Sequence, residues 1–145
     1  MRINIKKLDK RAIIPTKGTE FSAGSDLYAL TDEPIVINPH ETKFVHTGLS
    51  VEVPVGYAGL VYERSGLASK KNLAPANKVG VIDADHRGEV MVAIHNHGET
   101  PQTIENGERI AQLVITPFLS VEFNEVEALS QTARGEGGFG STGTK

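Results

Sequence analysis

Short apolar segments separated by turn residues recur along the chain, and this spacing constrains the fold more than any other feature. Leu49, Val51 and Val53 alternate with polar residues before Pro54, and similar segments follow about every ten residues. No window of about fifteen residues places apolar side chains at helical spacing, and the one helix candidate, 65–71, is short. The pattern predicts an all-β domain, a sandwich or a barrel, with one short helix.

The individual strands are predicted from alternation and from the residues that end each apolar segment. They cover 2–6, 35–37, 49–53, 60–63, 90–95 and 109–116, and a last strand contains Val121 and Phe123. Residues 77–90 are predicted to form a hairpin, in which an apolar strand leads into a polar turn and a second strand returns beside the first.

The composition excludes several classes of protein. The chain has 145 residues, which fits one domain, and its net charge is −3. A general electrostatic binder of nucleic acid would be basic, so no nucleic-acid partner is expected. The absence of cysteine excludes disulfides and cysteine-based zinc sites. The N-terminal residues show no secretory leader and no membrane span, which favours a cytoplasmic protein without a membrane partner.

The predicted hairpin holds an unusual density of reactive groups. Asp83, Asp85, His86 and Arg87 follow one another within its turn. Side chains that bind or catalyse are often presented on loops held by rigid flanks, although a charged turn is also typical of a plain solvated hairpin tip. The hairpin alone leaves both interpretations open.

Three further segments have a functional and a structural interpretation. Arg64, Ser65 and Gly66 start the short helix, where they would suit a phosphate or where the serine would simply cap the helix. Gln112 lies on an otherwise apolar strand face, and such a residue is hydrogen-bonded in the core or lines a site. His95 and His97 share one face of a strand, but no third metal ligand is apparent.

The composition changes at about residue 130, where glycine becomes frequent. Residues 130–145 contain one large apolar side chain, Phe139, which favours either a disordered tail or an arm that orders on a ligand. Glycines 135, 137 and 140 match the dinucleotide-binding fingerprint in spacing. That fingerprint requires a strand before it and a helix after it, and neither is predicted here, so we reject it.

Five of these segments together resemble the trimeric dUTP pyrophosphatase family, the dUTPases, over nearly the whole chain. In chain order the motifs are 23–27 (Ala-Gly-Ser-Asp-Leu), 64–68 (Arg-Ser-Gly-Leu-Ala), 80–89 (Gly-Val-Ile-Asp-Ala-Asp-His-Arg-Gly-Glu), 107–112 (Gly-Glu-Arg-Ile-Ala-Gln) and 134–143 (Arg-Gly-Glu-Gly-Gly-Phe-Gly-Ser-Thr-Gly). We call them the first to fifth motifs. One motif alone would be weak evidence, but five in the family's order and spacing identify the chain as a member.

The resemblance implies a β jelly-roll protomer, a distorted barrel in which residues 1–129 form the body and 130–145 a flexible arm. It implies a homotrimer with three shared active sites. Each site would take the first, second and fourth motifs from one chain, the third motif from the next and the closing arm from the last. The implied reaction is the Mg²⁺-dependent hydrolysis of dUTP to dUMP and pyrophosphate, which limits uracil incorporation into DNA and supplies dUMP for thymidylate synthesis.

The resemblance also assigns roles to residues. Asp83 is the general base that takes a proton from the attacking water, and it bonds the sugar 3′-hydroxyl. Asp26 contacts Mg²⁺ through water or is instead a structural partner of Arg64 or Arg134. The implied substrate-binding residues are Arg64, Ser65, Gly66 and Gln112 for the phosphates; Asn77, Gly80, Val81, Ile82 and Met91 for uracil; Asp83 and His86 for the sugar; and Arg134, Phe139, Gly140 and Ser141 in the arm.

The sequence departs from the family pattern at two positions. His86 stands where most members have a tyrosine that packs on the deoxyribose, and a shorter ring there predicts weaker rejection of UTP. Glu63 stands where many have proline, which predicts a change in turn rigidity and not in chemistry. Three alternatives remain: a dCTP deaminase-related enzyme, a phage-type dUTP-gated regulatory protein, and a jelly-roll binding module that would leave the motifs unexplained.

Overall fold

The computed structural model describes residues 1–143, and the last two residues of the predicted arm lie outside the described part. Within it the chain forms eleven strands and one helix. They are β1 (Asn4–Lys7), β2 (Ser25–Tyr28), β3 (Ile35–Ile37), β4 (Thr42–His46), β5 (Leu49–Glu52), β6 (Tyr57–Tyr62), α1 (Ser65–Lys71), β7 (Leu73–Pro75), β8 (Gly80–Ile82), β9 (Met91–Asn96), β10 (Gln102–Ile104) and β11 (Arg109–Pro117). The predicted all-β class with one short helix is confirmed.

Four antiparallel sheets share one apolar core. The largest has the order β2-β11-β6-β8, a second has the order β4-β9-β7, and two pairs are formed by β1 with β5 and by β3 with β10. Alternation along each strand sends every second side chain inward, so Val92, Ile94 and Asn96 of β9 are buried. Leu27 and Leu113 of the first sheet and Val45 of the second belong to the same cluster. No helix within residues 1–143 has the length and apolar character to cross a membrane.

The predicted hairpin at 77–90 is wrong in its strand pairing. β8 pairs with β6, with Gly80 opposite Val61 and Ile82 opposite Gly59, whereas β9 pairs with β4 and β7. The two strands therefore belong to different sheets, and the intervening loop, 83–90, crosses between them. The sequence could not reveal this, because both strands have the same apolar pattern whichever neighbour completes their hydrogen bonds.

The predicted strand at Val121 and Phe123 is also wrong. Regular structure ends with β11 at Pro117, and within 118–143 there is no strand. Val121 is 62% exposed and Phe123 97% exposed. Their alternation is the pattern of a strand, but no neighbouring strand of this chain supplies the hydrogen bonds that a strand needs.

α1 matches the predicted helix because its ends are well defined. It ends at Asn72, which has a left-handed backbone with φ of 54° and donates its N–H to the Ala68 carbonyl. The Lys71 ammonium donates to Glu108 and to the Thr103 carbonyl, which ties the end of α1 to β10 and to the segment before β11. The helix that carries the second motif is thereby held against the fourth motif.

An ion pair in the loop after β1 makes stability depend on pH. Hydrogen bonds from the Arg11 side chain and backbone lower the pKa of Asp9 to about 2. Because the folded pKa is depressed, this contribution is complete above the ordinary carboxyl value and is lost as the pH falls towards about 2. We expect the melting temperature of the native protein to exceed that of Asp9→Asn at about pH 6, and the difference to shrink below about pH 4. Melting curves of both proteins across this range would contradict the expectation if the difference stayed constant.

Candidate active site

The central position of β11 brings the first, second and fourth motifs together. Its partners on either side are β2 and β6, and the register places Gln112 opposite Asp26 on one side and Tyr62 on the other. Arg64 follows directly after β6. Residues far apart in sequence thus become neighbours through the antiparallel register. We call Asp26, Arg64, Arg109 and Gln112 the arginine cluster.

Asp26 is the anchor of the arginine cluster. Its side chain is only 12% exposed, and its Oδ1 accepts from Arg64 Nε at 2.8 Å while its Oδ2 accepts from Arg109 Nη1 at 3.3 Å. A nearly buried carboxylate between two guanidinium groups fixes where both cations lie. Arg109 lies within the fourth motif, but the sequence interpretation gave it no role. Its partner Asp26 is 83 residues away in sequence.

Gln112 connects the first motif with the second. Its Nε2 donates to the Glu63 carbonyl at 2.9 Å, and its side chain lies against Gly24. A Cβ at position 24 would come within 2.2 Å of Gln112 Oε1, so a glycine is required there for this approach. Of the two interpretations of Gln112, this arrangement favours a residue that lines a polar site.

Ser65 and Gly66 lie exposed at the start of α1, next to the arginine cluster. The residue that caps the helix is Arg64, without a side-chain capping hydrogen bond, and Ser65 is already inside the helix. The Ser65 hydroxyl makes no hydrogen bond within residues 1–143, and a Cβ at Gly66 would meet open space. The capping role for Ser65 is therefore excluded, and an anion-binding role is favoured.

A cleft of about 310 Å³ lies between β8 and β9, where the two strands diverge into different sheets. β8 is an edge strand, and β7 pairs only with the second half of β9. The walls of the cleft therefore include backbone N–H and C=O groups to which no neighbouring strand is hydrogen-bonded. Among its lining residues are Asn77, Gly80, Val81, Ile82, Asp83, His86 and Met91. Every base-binding and sugar-binding residue that the sequence predicted outside the arm thus lines one cleft.

Asp83 and His86 lie on the exposed loop at one end of the cleft. The Asp83 carbonyl accepts from the His86 N–H at 3.2 Å, which makes a turn. The His86 ring packs over Gly88, where a Cβ would come within 2.9 Å of the ring. Arg87 does not pair with Asp85: it donates to the Ala84 and His86 carbonyls and contacts Glu52 at 3.3 Å. The Asp85 carboxylate has no ion pair within residues 1–143.

The cleft and the arginine cluster are separate within one chain. Asp83 follows Ile82, which pairs with Gly59 near the start of β6, whereas Arg64 lies beyond the other end of that strand. Asp83 therefore lies level with the start of β6. The six residue steps from there to Arg64 span about 20 Å along an extended strand. Asp83 and Arg64 of one chain are therefore too far apart for direct contact.

The predicted arm residues also lie apart from both groups. Among the described residues, 119–143 make hydrogen bonds only within that segment, for example from Arg134 Nε to the Gly137 carbonyl at 2.8 Å. Phe139 is fully exposed and has a positive φ of 47°. Exposure begins at Pro117, earlier than the predicted boundary at 130. The structure thus does not bring Arg134, Phe139, Gly140 or Ser141 to the cleft of their own chain.

The residues present do not fit a metal ion held directly by this chain. Both Asp26 oxygens accept from guanidinium groups, and such a carboxylate is a poor direct ligand. Within residues 1–143 no three His, Cys, Asp or Glu side chains are grouped suitably for a metal. The rings of His95 and His97 are 4.5 Å apart, but Thr42 is the hydrogen-bond partner of His95 Nδ1.

A cleft with free backbone groups and a separate cluster of two arginines are the two environments that a nucleotide-binding protein needs for base and phosphates. The family model described as dUTPase matches residues 10–143. The chain is 45% identical to the deoxyuridine 5′-triphosphate nucleotidohydrolase of Alcanivorax borkumensis, with 99% of each sequence covered. It is 48% identical to that of Haemophilus influenzae, with 98% of this chain and 97% of the relative covered.

A solved structure agrees with these relatives. The Staphylococcus bacteriophage 80alpha dUTPase G164S mutant with dUpNHpp is similar with a TM-score of 0.90 and 33% identity, with 99% of each chain covered. The chain belongs to the dUTPase family. The resemblance drawn from the five motifs is confirmed, as is the jelly-roll fold that it implied.

Proposed function

We propose that the protein hydrolyses dUTP to dUMP and pyrophosphate. The proposal rests on one observation: the motifs divide between two sites, and the chemistry of each site matches one part of a nucleotide. The third motif lines a cleft with free backbone groups, and the first, second and fourth motifs build the arginine cluster. A base and a triphosphate are the two parts of a nucleotide that need these environments. The named relatives over nearly the full chain support the same activity.

In the proposed reaction Asp83 acts as the general base. Its exposed carboxylate takes a proton from a water whose oxygen bonds to the α-phosphorus, while the bond from that phosphorus to the β-phosphate oxygen breaks. The electrons of that bond leave with pyrophosphate. Uracil lies in the cleft, where Asn77 and the backbone of Val81 and Ile82 bond its edge and Met91 packs nearby. Exchanged donors and acceptors on cytosine reject that base.

Arg64, Ser65, Gly66 and Gln112 bind the phosphates in this proposal. Mg²⁺ accompanies the nucleotide, because that ion keeps several waters and is commonly bound through substrate phosphates. It neutralises phosphate charge when bound. Asp26 holds the two arginines in place, which favours the structural alternative for this residue over a metal-binding role.

We further propose that the active sites are shared in a homotrimer. Asp83 and Arg64 lie at opposite ends of β6, about 20 Å apart along an extended strand, so one chain cannot bring both to one α-phosphate. A second copy would supply the missing half. The exposed segment after Pro117 would extend to a neighbouring chain, where Arg134, Gly140 and Ser141 would close over the phosphates and Phe139 would stack on uracil.

A second candidate function is regulation of a partner protein. It is favoured by similarity to Staphylococcus bacteriophage 80alpha dUTPase, a structure described with the statement that phage dUTPases control transfer of virulence genes by a proto-oncogenic G protein-like mechanism. That match has a TM-score of 0.90 at 33% identity. A partner captured by this chain and displaced by dUTP would support regulation beside hydrolysis.

The test of the proposed activity is pyrophosphate release from dUTP with Mg²⁺, measured beside dCTP, dTTP and UTP. The expected result is release from dUTP that is far faster than release from the other three nucleotides. Ammonia release from dCTP would instead establish the deaminase alternative. No release from any of the four, with dUTP still bound, would favour the regulator. In the cell the proposed activity would limit uracil in DNA and supply dUMP, in the cytoplasm as predicted from the sequence.

His86 gives a prediction about sugar selectivity. A tyrosine ring extends further than imidazole, and a larger contact surface on the deoxyribose leaves less room for a 2′-hydroxyl. We expect His86→Tyr to raise the ratio of kcat/KM for dUTP to that for UTP by about tenfold, since contacts of this size discriminate only modestly. Steady-state rates of both proteins with both nucleotides measure the ratio. An equal ratio in the two proteins would show that residue 86 does not set sugar selectivity.

A further inference from the structure

The loop 83–90 needs a support that the sheets do not give. It joins β8 to β9, which lie in different sheets, so no ladder of strand hydrogen bonds fixes its position. It nevertheless carries Asp83 and His86, both exposed. A general base must be held within a fraction of an ångström of its working geometry.

The support comes from the turn between β4 and β5. Thr47 Oγ1 donates to the Val90 carbonyl at 2.6 Å, and the Val90 N–H donates to the Leu49 carbonyl at 2.8 Å. Ser50 Oγ donates to the Arg87 carbonyl at 2.7 Å. These bonds attach the second half of the loop, 87–90, to the turn after β4 and to the first two residues of β5. Val90 and Thr47 are buried, so this attachment is shielded from water.

Glu89 is the only side chain of 83–90 that bonds directly to this turn within the described residues. Its Oε1 accepts from the Gly48 N–H at 2.8 Å, and its Oε2 accepts from His46 Nδ1 at 2.8 Å. Gly48 is closely packed and suits only glycine: its φ is 68°, and a Cβ there would come within 2.5 Å of Leu30. Both carboxylate oxygens are therefore held by a fixed part of the fold.

The surroundings of Glu89 agree with a permanent acceptor. Burial raises its pKa, but hydrogen bonds from His46, Gly48 and Thr47 together outweigh burial, and the net pKa lies below the ordinary value. The side chain is 22% exposed and lines the cleft that also contains Asp83 and His86. The Glu89 carboxylate thus lies at the end of the loop that carries Asp83, the proposed base.

We propose that Glu89, held by His46 and the Gly48 N–H, is a positioning residue that sets the loop 83–90 for the proposed hydrolysis. It touches neither the substrate nor the attacking water in this proposal. It acts by holding the end of the loop against the turn between β4 and β5. The Asp83 carboxylate is thereby kept pointing at the reacting water. The inference rests on the proposed function for its catalytic effect, but its structural part stands on the contacts alone.

The test compares Glu89→Ala and Glu89→Gln with native enzyme at saturating dUTP. We expect Glu89→Ala to lower kcat by about tenfold to 100-fold, the effect of a misplaced catalytic group, with a much smaller change in KM because β8 and β9 still form the cleft. Glu89→Gln keeps an oxygen for the Gly48 N–H, so we expect it to restore most of kcat. A residue that only stabilised the fold would lower the melting temperature without this split between kcat and KM.

The matched control is Glu99→Ala. Glu99 also pairs with a histidine, His40, at 3.1 Å, but its side chain is 84% exposed and it does not line the cleft. We expect native kcat and KM for this variant. His46→Ala removes one of the two hydrogen bonds that hold the Glu89 carboxylate. The His46 side chain is 57% exposed, and we expect its loss to lower kcat less than Glu89→Ala does. This variant keeps the test decisive if Glu89→Ala does not fold.

Hydrogen exchange measured by mass spectrometry separates this inference from the proposed function. We expect the amides of His86 and Val90, which donate to backbone carbonyls, to exchange faster in Glu89→Ala than in the native enzyme, and at the native rate in Glu99→Ala. Unchanged exchange together with unchanged kcat in Glu89→Ala would overturn the inference. A native enzyme that fails to hydrolyse dUTP would overturn the proposed function, while the exchange rates would still decide whether Glu89 holds the loop.

Discussion

Replacing Asp83 by asparagine is expected to lower kcat for dUTP by about 10²–10⁴-fold, the range for removal of a general base. The asparagine amide has the same shape as the carboxylate but cannot take a proton from water. Its carbonyl can still accept from the sugar hydroxyl, so binding of dUTP is expected to stay close to native. Pyrophosphate release measured at saturating dUTP, together with calorimetric binding of a non-hydrolysable analogue, gives both quantities.

Asp85→Asn is the matched control for this experiment. Asp85 is an exposed carboxylate in the same loop, two residues further on, without an ion pair in the described chain. It is the alternative base on chemical grounds, so the two variants decide between them. We expect Asp85→Asn to retain kcat within a few-fold of native. A large loss in Asp85→Asn beside a nearly native Asp83→Asn would move the role of base to Asp85.

A chain that ends at Leu129 is expected to lose about 100-fold or more in kcat/KM for dUTP, because an open site positions the phosphates poorly and admits water. Its melting temperature should remain native, since residues 119–143 make hydrogen bonds only among themselves and are largely exposed. Steady-state kinetics and a thermal melt of the shortened chain measure the two effects. A lowered melting temperature would show that the segment also stabilises the body.

Mixing the shortened chain with Asp83→Asn tests the proposed sharing of sites. Each protein alone is nearly inactive, one without the arm and the other without the base. When equal amounts assort at random, about a quarter of the sites combine an intact Asp83 from one chain with an arm from the other. Recovery of activity on refolding the two together is the expected result. Mixed oligomers verified by native mass spectrometry but without activity would show that base and arm come from the same chain.

The sequence predicted some parts of the fold because the relevant signals are local. The helix at 65–71 is bounded by the Arg-Ser-Gly turn and by Asn72, which accepts a left-handed backbone. β3, β9 and β11 follow from apolar segments between turn residues. β4, β7 and β10 were missed because they are short and contain polar residues or proline, and they become strands only beside β9 and β3.

In the site, too, residues that lie close in sequence could be predicted, whereas residues defined by a partner far away in sequence could not. Asp83, His86 and Asn77 lie close in sequence, and they line one cleft. Arg109 and Glu89 were given no separate role, because what distinguishes them is a partner elsewhere in the chain. Arg109 is recognisable only beside Asp26, and Glu89 only beside Gly48 and His46.

By itself the sequence determined the all-β class, the short helix and the family, since turn residues, alternation and motif order are properties of neighbouring residues. The tertiary structure decided that β8 and β9 join different sheets and leave a cleft between them, and that Asp83 and Arg64 lie at opposite ends of β6. The physical reason is that an apolar strand buries its side chains equally well against several partners. Only the competition among all strands for hydrogen bonds and core volume selects one pairing.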